Sequence, residues 1–176
     1  MVLRVCLLYI CINNLKQIDM KTVNTIGLDP KQSKKLAKQL NDLLANYSIL
    51  YQNVRGMHWN IKGEKFFELH VKFEELYNDL ILKIDELAER ILTLGFEPEH
   101  RYSEYLKKSE IKEVKNTSNG VKDVEEILKS LKVIISKQRK ILDLSGDIGD
   151  EGTNALMSDY IREQEKLAWM YRAFLG

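Results

Sequence analysis

The sequence predicts an all-α protein, a four-helix bundle whose two helical hairpins are joined by one long crossover that contains a short helix. Three observations support this prediction. Apolar residues recur at steps of three and four over long stretches, which is the period of an amphipathic helix. Only 2 of the 176 residues are proline, which favours long helices. Capping residues and glycines stand at the ends of the periodic stretches.

The first hairpin is predicted from two such stretches. Asp29 and Pro30 are an N-cap acid and a first-turn proline, so we expect a first helix from there to about Asn60. After a turn at Lys62-Gly63, a second helix is expected from about Lys65 to Leu94. The predicted inward residues are Leu36, Leu40, Leu43, Leu44, Tyr47 and Leu50 in the first helix, and Leu69, Phe73, Leu76, Leu80, Ile84, Leu87, Ile91 and Leu94 in the second.

The second hairpin follows a polar crossover. Residues 96–120 are irregular apart from a short helix expected near Ser103–Lys108, and a bundle with one long crossover accommodates such a segment. A third helix is expected from about Val121 to Leu144, ended by glycines, and a last helix from about Thr153 to Phe174. The inward residues of the third helix are predicted to be Val124, Ile127, Leu128, Leu131, Ile134 and Ile135.

Composition narrows the function classes. The formal net charge is +1, so the chain has no strong bulk attraction to nucleic acid. Both cysteines, Cys6 and Cys11, lie near the start, which excludes a disulfide framework and a cysteine zinc site in the rest of the chain and fits a reducing, cytoplasmic compartment. The apolar run in residues 2–12 is too short to span a membrane as a helix.

The first 19 residues differ in character from the rest. We expect the biological start to be Met20, with residues 1–19 a non-native or disordered extension and residues 20–176 a single domain. A signal peptide and a genuine extra strand or helix remain alternatives, although no small-residue cleavage site follows the apolar run.

Candidate metal ligands collect on the second helix and just before it. They are His58, His70, Glu74, Asp85 and Glu89. His70 and Glu74 are four residues apart and share a helix face, and Asp85 and Glu89 repeat this spacing. Glu74 and Asp85, however, lie roughly 16 Å apart along a helix axis, so one ion cannot be held by both pairs of one subunit.

A two-fold dimer resolves this conflict. Positions 74 and 85, and positions 70 and 89, are each symmetric about the midpoint between residues 79 and 80. If two copies of the helix cross antiparallel there, Glu74 faces Asp85 of the other copy, and the symmetry gives two equivalent sites. Tyr77, Ile81 and Ala88 would form the apolar part of this interface. The spacing alone is also compatible with an ordinary solvated helix face.

The motifs in this region resemble the signature of the Dps family of mini-ferritins, which belongs to the ferritin-like superfamily. The similarity runs from about Leu36 to Phe174. The matching blocks are His58-Trp59-Asn60, Phe66-Phe67-Glu68-Leu69-His70, Phe73-Glu74-Glu75-Leu76-Tyr77, Asp85-Glu86-Leu87-Ala88-Glu89-Arg90, Gly149-Asp150-Glu151-Gly152-Thr153 and Trp169-Met170-Tyr171-Arg172-Ala173-Phe174.

This resemblance implies a ferritin-like bundle that assembles into a hollow homododecamer with ferroxidase sites shared between two subunits. By matched position, His58, His70 and Glu74 come from one subunit, and Asp85 and Glu89 from the other. Relatives often have Asp at position 74, so the individual ligand distances differ here. The family oxidises Fe(II), characteristically with hydrogen peroxide, stores ferric oxide, and thereby protects against oxidative stress. Imidazole and carboxylate ligands together suit iron, and hard oxygen ligands favour the ferric product.

Two further features near the ligands have competing interpretations. Trp59 could supply an electron beside the site, or it could be an interface packing residue. Glu97 and His100 have the Glu-x-x-His spacing of ferritin di-iron ligands, but Gly95 and Pro98 place them in a loop, so we do not expect them to bind iron.

A second acidic cluster lies where the third and fourth helices meet. It contains Asp143, Asp147, Asp150 and Glu151. Such residues are typical of turns and caps. In the family this junction lines a three-fold pore, where a ring of carboxylates would attract Fe(II). On that interpretation Asp147 and Asp150 are the strongest candidates.

Nucleoid association is the alternative function. Many relatives bind DNA through a lysine-rich tail, but residues 20–29 contain only Lys21. A modest basic patch at the start of the first helix contains Lys31, Lys34, Lys35 and Lys38, and a solvated face explains it better than a DNA-binding surface does. We therefore expect direct DNA binding to be weak or absent.

Overall fold

The computed structural model describes residues 23–115 and 117–176. These residues form α1 (Pro30–Asn60), α2 (Phe66–Thr93), α3 (Tyr102–Lys108), α4 (Gly120–Asp147) and α5 (Glu151–Leu175). They contain no β-strand. The predicted all-α fold is confirmed, including the short helix in the crossover. None of the helices in the described ranges is long and apolar enough to cross a membrane.

The bundle consists of two hairpins with short connections. α1 packs against α2, α4 packs against α5, and α1 also contacts α4 and α3. The N-cap of α1 is Asp29, whose side chain accepts a hydrogen bond from the Gln32 amide at 2.9 Å. This contact replaces one of the hydrogen bonds that the first helical turn lacks. The predicted start of the first helix is therefore confirmed.

The predicted inward residues form the core. Every one of them is buried except Ile84 and Leu128, which are half-buried. Polar groups also lie inside the bundle, where the amide nitrogens of Gln138 and Gln164 both donate to the Tyr47 hydroxyl. These bonds link α1 to α4 and α5, so buried polar contacts help to join the two hairpins.

Asparagine side chains of α1 fix the crossover. Asn46 accepts hydrogen bonds from the amides of Glu110 at 3.0 Å and Ile111 at 3.2 Å. Asn53 donates to the Lys112 carbonyl at 2.8 Å and accepts from the Val114 amide at 3.0 Å. These bonds provide the partners that a segment without secondary structure needs.

The junction of α4 and α5 differs from the prediction. α4 continues to Asp147, so Gly146 lies inside the helix instead of ending it. The turn is made by Gly149, whose φ of +72° lies in the left-handed region. A glycine within the last helical turn costs roughly 1 kcal/mol, which the surrounding contacts can offset.

The expectation of a non-native extension at residues 1–19 lies outside the described residues.

Candidate metal centre

The structure brings two of the predicted ligands into direct contact. The rings of His58, at the end of α1, and His70, in the first turns of α2, stack with centroids 3.8 Å apart. Nδ1 of His58 lies 2.8 Å from the His70 carbonyl oxygen, and Nδ1 of His70 lies 2.9 Å from the His58 carbonyl oxygen. The turn between the helices is short, so the pair is held close to the chain reversal.

This reciprocal arrangement sets the protonation of both rings. A carbonyl oxygen only accepts hydrogen bonds, so each Nδ1 must carry the proton and donate. In the neutral ring Nε2 then keeps its lone pair, which is the state that binds a metal ion. The backbone therefore orients both imidazoles and leaves both Nε2 atoms available as ligands.

Aromatic side chains surround the histidine pair. Phe66 stacks on His70 with centroids 4.9 Å apart, and Tyr77 meets the His58 ring edge-on at 5.3 Å. Partial desolvation and the neighbouring Glu74 carboxylate raise the pKa of the Tyr77 phenol above its usual range. Glu74 thus lies beside the same aromatic group as His58, and the side chain of Glu74 is exposed to solvent.

The remaining predicted ligands lie elsewhere on α2. Asp85 and Glu89 are both exposed, on the later turns of the helix. Within residues 23–115 and 117–176 of a single chain, no three His, Cys, Asp or Glu side chains are close enough together to hold a metal ion. One chain therefore brings together His58 and His70, with Glu74 nearby, but not the carboxylates of Asp85 and Glu89.

Large apolar side chains are exposed around the site. Trp59 is 62% exposed and Phe67 is 83% exposed. On α2, Ile81 is 43% exposed, while Tyr77 and Ala88 are half-buried. Exposed apolar residues that cluster in this way are typical of interaction surfaces.

The contact made by Trp59 was not predicted. The Arg55 guanidinium lies 4.7 Å from the Trp59 ring centroid and 5.2 Å from that of Tyr51. These three residues are spaced by four along α1, a signal that the sequence offered. A neighbouring positive charge disfavours a cation radical on the indole, so this environment favours the packing interpretation of Trp59 over the electron-donor interpretation.

The Glu97–His100 pair lies in the crossover, between the end of α2 and the start of α3. Both side chains are exposed, and neither belongs to a helix. The expectation that this pair lies in a loop is confirmed.

The four acidic residues at the junction of α4 and α5 differ in their exposure to solvent. Asp143, Asp147 and Glu151 are exposed. Asp150 is only 3% exposed, accepts a hydrogen bond from the Thr153 amide at 3.0 Å as the N-cap of α5, and pairs with Arg90. Asp150 therefore caps α5 and holds Arg90, while its expected place in a pore stays a prediction.

Comparisons with known proteins place the chain among proteins of known fold. It matches the description of the ferritin-like domain over residues 37–176. It is 44% identical over 154 residues to the DNA protection during starvation protein of Porphyromonas gingivalis, which covers 88% of this chain and 97% of the relative.

Solved structures give the same result. The crystal structure of a DPS protein from Vibrio cholerae O1, described as a member of a broad superfamily of ferritin-like diiron-carboxylate proteins, matches with a TM-score of 0.87 and 57% identity, covering 88% of this chain and 98% of the other. The crystal structure of Dps from Staphylococcus aureus matches with a TM-score of 0.78 and 34% identity, covering 81% and 96% of the respective chains.

Proposed function

Because the chain belongs to the Dps family of ferritin-like proteins, we propose that it is a ferroxidase and iron-storage protein. It oxidises Fe(II), with hydrogen peroxide as the oxidant, and keeps the ferric product inside a hollow homododecamer. The general role in iron storage and protection agrees with the names of its relatives, which refer to DNA protection during starvation and to diiron-carboxylate proteins.

The His58–His70 pair is the observation that carries this proposal. Both rings are held by Nδ1 donation to backbone carbonyls, so both Nε2 atoms are available to Fe(II), which is here the substrate. Outer hydrogen bonds of this kind orient histidine ligands in metal sites. Glu74 lies on the same side, beside Tyr77, and supplies an oxygen ligand.

The site is completed by a second subunit. Two α2 helices crossing antiparallel between residues 79 and 80 bring Asp85 and Glu89 of one subunit to the histidines of the other. The exposure of Ile81 and Trp59 supports burial of this region on assembly. The single chain also lacks any three-ligand group within its described ranges, which suits a shared site.

The chemistry follows from the ligands. Two Fe(II) ions each lose one electron, and one hydrogen peroxide takes up both electrons with two protons to give two water molecules. Carboxylate oxygens stabilise the ferric product more than the ferrous substrate. The two-electron reduction of peroxide on protein-bound iron avoids release of hydroxyl radical, which accounts for a protective role.

The exposed carboxylates of Asp143, Asp147 and Glu151 form the proposed iron pathway. Around a three-fold axis these side chains would make a ring of negative charge that concentrates Fe(II) at the pore. Glu151 lies in the first turn of α5 and the two aspartates lie in the last turns of α4. One acidic ring could therefore draw on both helices.

Physical protection of DNA is the second candidate. The basic patch at the start of α1 is fully exposed, and none of its lysines takes part in an ion pair among the described residues. A gel-shift assay with DNA at low and moderate salt tests this second function directly. DNA binding through a few lysines should be detectable at low salt and should weaken steeply as salt is added.

The direct test is anaerobic loading with Fe(II), followed by separate addition of peroxide and of oxygen. We expect rapid oxidation with peroxide, slower oxidation with oxygen, and ferric iron that co-elutes with the assembled protein. Oxidation by peroxide no faster than that of Fe(II) without the protein, or ferric iron that precipitates instead of co-eluting, would reject the proposal.

A further inference from the structure

The Gly149–Thr153 segment forms a binding place for the side chain of Arg90. This segment is one of the blocks that carry the family resemblance, yet the proposed chemistry does not use it. Arg90 lies near the end of α2, about 60 residues away in sequence. Its side chain is 18% exposed, and that of Asp150 is 2% exposed.

Four of the five residues of the segment, all except Glu151, take part in this contact. The Arg90 guanidinium pairs with the Asp150 carboxylate through one terminal nitrogen, and its Nε donates to the Thr153 hydroxyl at 2.8 Å. The same hydroxyl donates to the other Asp150 oxygen at 2.5 Å. A buried ion pair stabilises best when further hydrogen bonds support it, and here the Thr153 hydroxyl links Nε of Arg90 to the second carboxylate oxygen of Asp150.

Gly152 completes the binding place by its lack of a side chain. A Cβ at this position would lie 3.0 Å from one terminal nitrogen of Arg90 and 3.1 Å from its Cζ. The guanidinium therefore lies against the backbone of α5. Gly149, in the left-handed region, makes the turn that brings Asp150 and Thr153 to the arginine.

The location of Arg90 gives this contact a consequence for the metal site. Arg90 directly follows Glu89, and α2 ends at Thr93. Backbone hydrogen bonds close the end of α2 locally, from the Leu94 amide to the Arg90 carbonyl and from the Phe96 amide to the Ile91 carbonyl, both at 3.1 Å, but helix ends still open more readily than helix centres. The contact with α5 opposes fraying at the turn that carries Glu89, and metal sites tolerate only small displacements of their ligands.

We propose that Arg90 is a positioning residue: with Asp150 and Thr153 it holds the end of α2 so that Glu89 reaches the iron bound by the partner subunit's histidines. This inference rests on the proposed ferroxidase function. It also assigns a role to the Gly149–Thr153 block, which joins the helix of the oxidation site to the junction that carries the acidic pathway.

Two variants weaken the contact in different ways. Arg90→Lys keeps the positive charge but loses the two-point hold of the planar guanidinium. Thr153→Val keeps the ion pair and the side-chain shape but removes the bridging hydroxyl, so it remains informative if the lysine variant fails to assemble. Arg139→Lys is the matched control, because Arg139 pairs with Glu165 on the exposed surface.

Two measurements are made on the assembled protein. Anaerobic Fe(II) titration by calorimetry should show affinity about tenfold weaker for Arg90→Lys, as is usual when the support of a metal ligand is lost, a smaller loss for Thr153→Val, and no change for Arg139→Lys. Hydrogen exchange without iron should be faster at the α2 amides of residues 89–93 in the first two variants only.

These measurements distinguish failure of the positioning role of Arg90 from failure of the proposed ferroxidase function. Wild-type protein that does not bind Fe(II) would reject the ferroxidase function and this role together. If the wild type binds Fe(II) and Arg90→Lys binds it equally well, the positioning role is wrong, whatever happens to the melting temperature. Unchanged exchange at residues 89–93 would also reject it.

Discussion

At the scale of single residues, the proposed metal site depends on how His58 and His70 hold each other: Nδ1 of each ring donates to the other residue's carbonyl oxygen, at 2.8 and 2.9 Å, which leaves both Nε2 atoms free for iron. Imidazole and carboxylate groups with helical spacing were sufficient to propose His58, His70 and Glu74. The donation of each histidine Nδ1 to the other residue's carbonyl was not predictable, because it depends on how closely α1 and α2 approach at their turn. The ion pair of Asp150 was not predictable for the same reason, since its partner Arg90 is distant in sequence.

Replacing His58 and His70 together with alanine should abolish most rapid peroxide-driven iron oxidation, because both nitrogen ligands are lost. The loss of two partly buried hydrogen bonds should also cost about 1–3 kcal/mol of stability, without loss of helix content. Stopped-flow absorbance and circular dichroism measure the two effects. His100→Ala, an exposed histidine in the crossover, is the control, and wild-type kinetics in the double variant would reject the assignment.

The buried carboxyl group of Asp123 should make the stability of the protein depend on pH. It is 2% exposed, its Oδ2 has no hydrogen-bond partner among the described residues, and burial with a contribution from Glu126 raises its pKa from 3.8 to about 6. The folded protein therefore holds this proton more tightly than the unfolded chain does. Stability from this group is highest at acidic pH and is lost as the pH rises from about 4 through about 6.

Asp123→Asn should accordingly stabilise the protein at pH 8 by about 2 kcal/mol, because the amide removes a buried charge. The gain should fall to about half near pH 5, where the folded wild type is protonated but the unfolded chain is still ionised, and should vanish only below the unfolded pKa of 3.8. Thermal unfolding at both pH values measures this difference. Glu125→Gln, on the exposed side of the same helix, should have little effect, and an equal gain at both pH values would contradict the explanation.

At the scale of helices, periodicity and caps predicted the fold well. The start of α1 at Pro30 was predicted from Asp29 and proline, and the core stripe of α2 from its spacing alone. The end of α4 was predicted too early because Gly146 looks like a helix terminator. Whether a glycine ends a helix depends on the contacts around it, and those contacts come from α5, where Asn154 donates to the Leu142 carbonyl at 3.0 Å.

The junction of α4 and α5 leads to a prediction about iron uptake. Changing Asp143 and Asp147 together to asparagine should slow uptake at low ionic strength, because the attractive field at the pore weakens while the oxidation ligands remain. Uptake by the variant should also depend less on salt than uptake by the wild type.

Initial rates of Fe(II) uptake over a range of ionic strength test this prediction. Asp159→Asn is a suitable control, since Asp159 is an exposed aspartate on α5 that pairs with Arg162. Equal uptake by the double variant and the wild type at low salt would count against the acidic pathway.

At the scale of the whole molecule, assembly is the property on which the function depends. A second subunit would account both for the exposed apolar residues beside the histidine pair and for the separation of the proposed ligands along α2. We therefore expect a compact particle much larger than the 20.6 kDa chain, measured by light scattering at neutral pH. A monodisperse monomer would contradict the shared site.

The partition of ligands between subunits is the central claim, and mixed refolding tests it most directly. One variant has His70 and Glu74 changed to alanine, and the other has Asp85 and Glu89 changed to alanine. Each should be inactive alone, because every site lacks two of its five ligands. The two are mixed unfolded, refolded together and assayed for peroxide-driven iron oxidation, with mass spectrometry to establish that mixed dimers form.

In a mixed dimer, one site receives both damaged halves and the other receives His58, His70 and Glu74 from one subunit and Asp85 and Glu89 from its partner, all intact. Random pairing makes about half of the dimers mixed, so activity should return to about a quarter of the wild-type value if the sites act independently. A site contained within one subunit predicts no recovery, because every subunit is damaged. Absence of recovery in samples that contain mixed dimers would contradict the shared site.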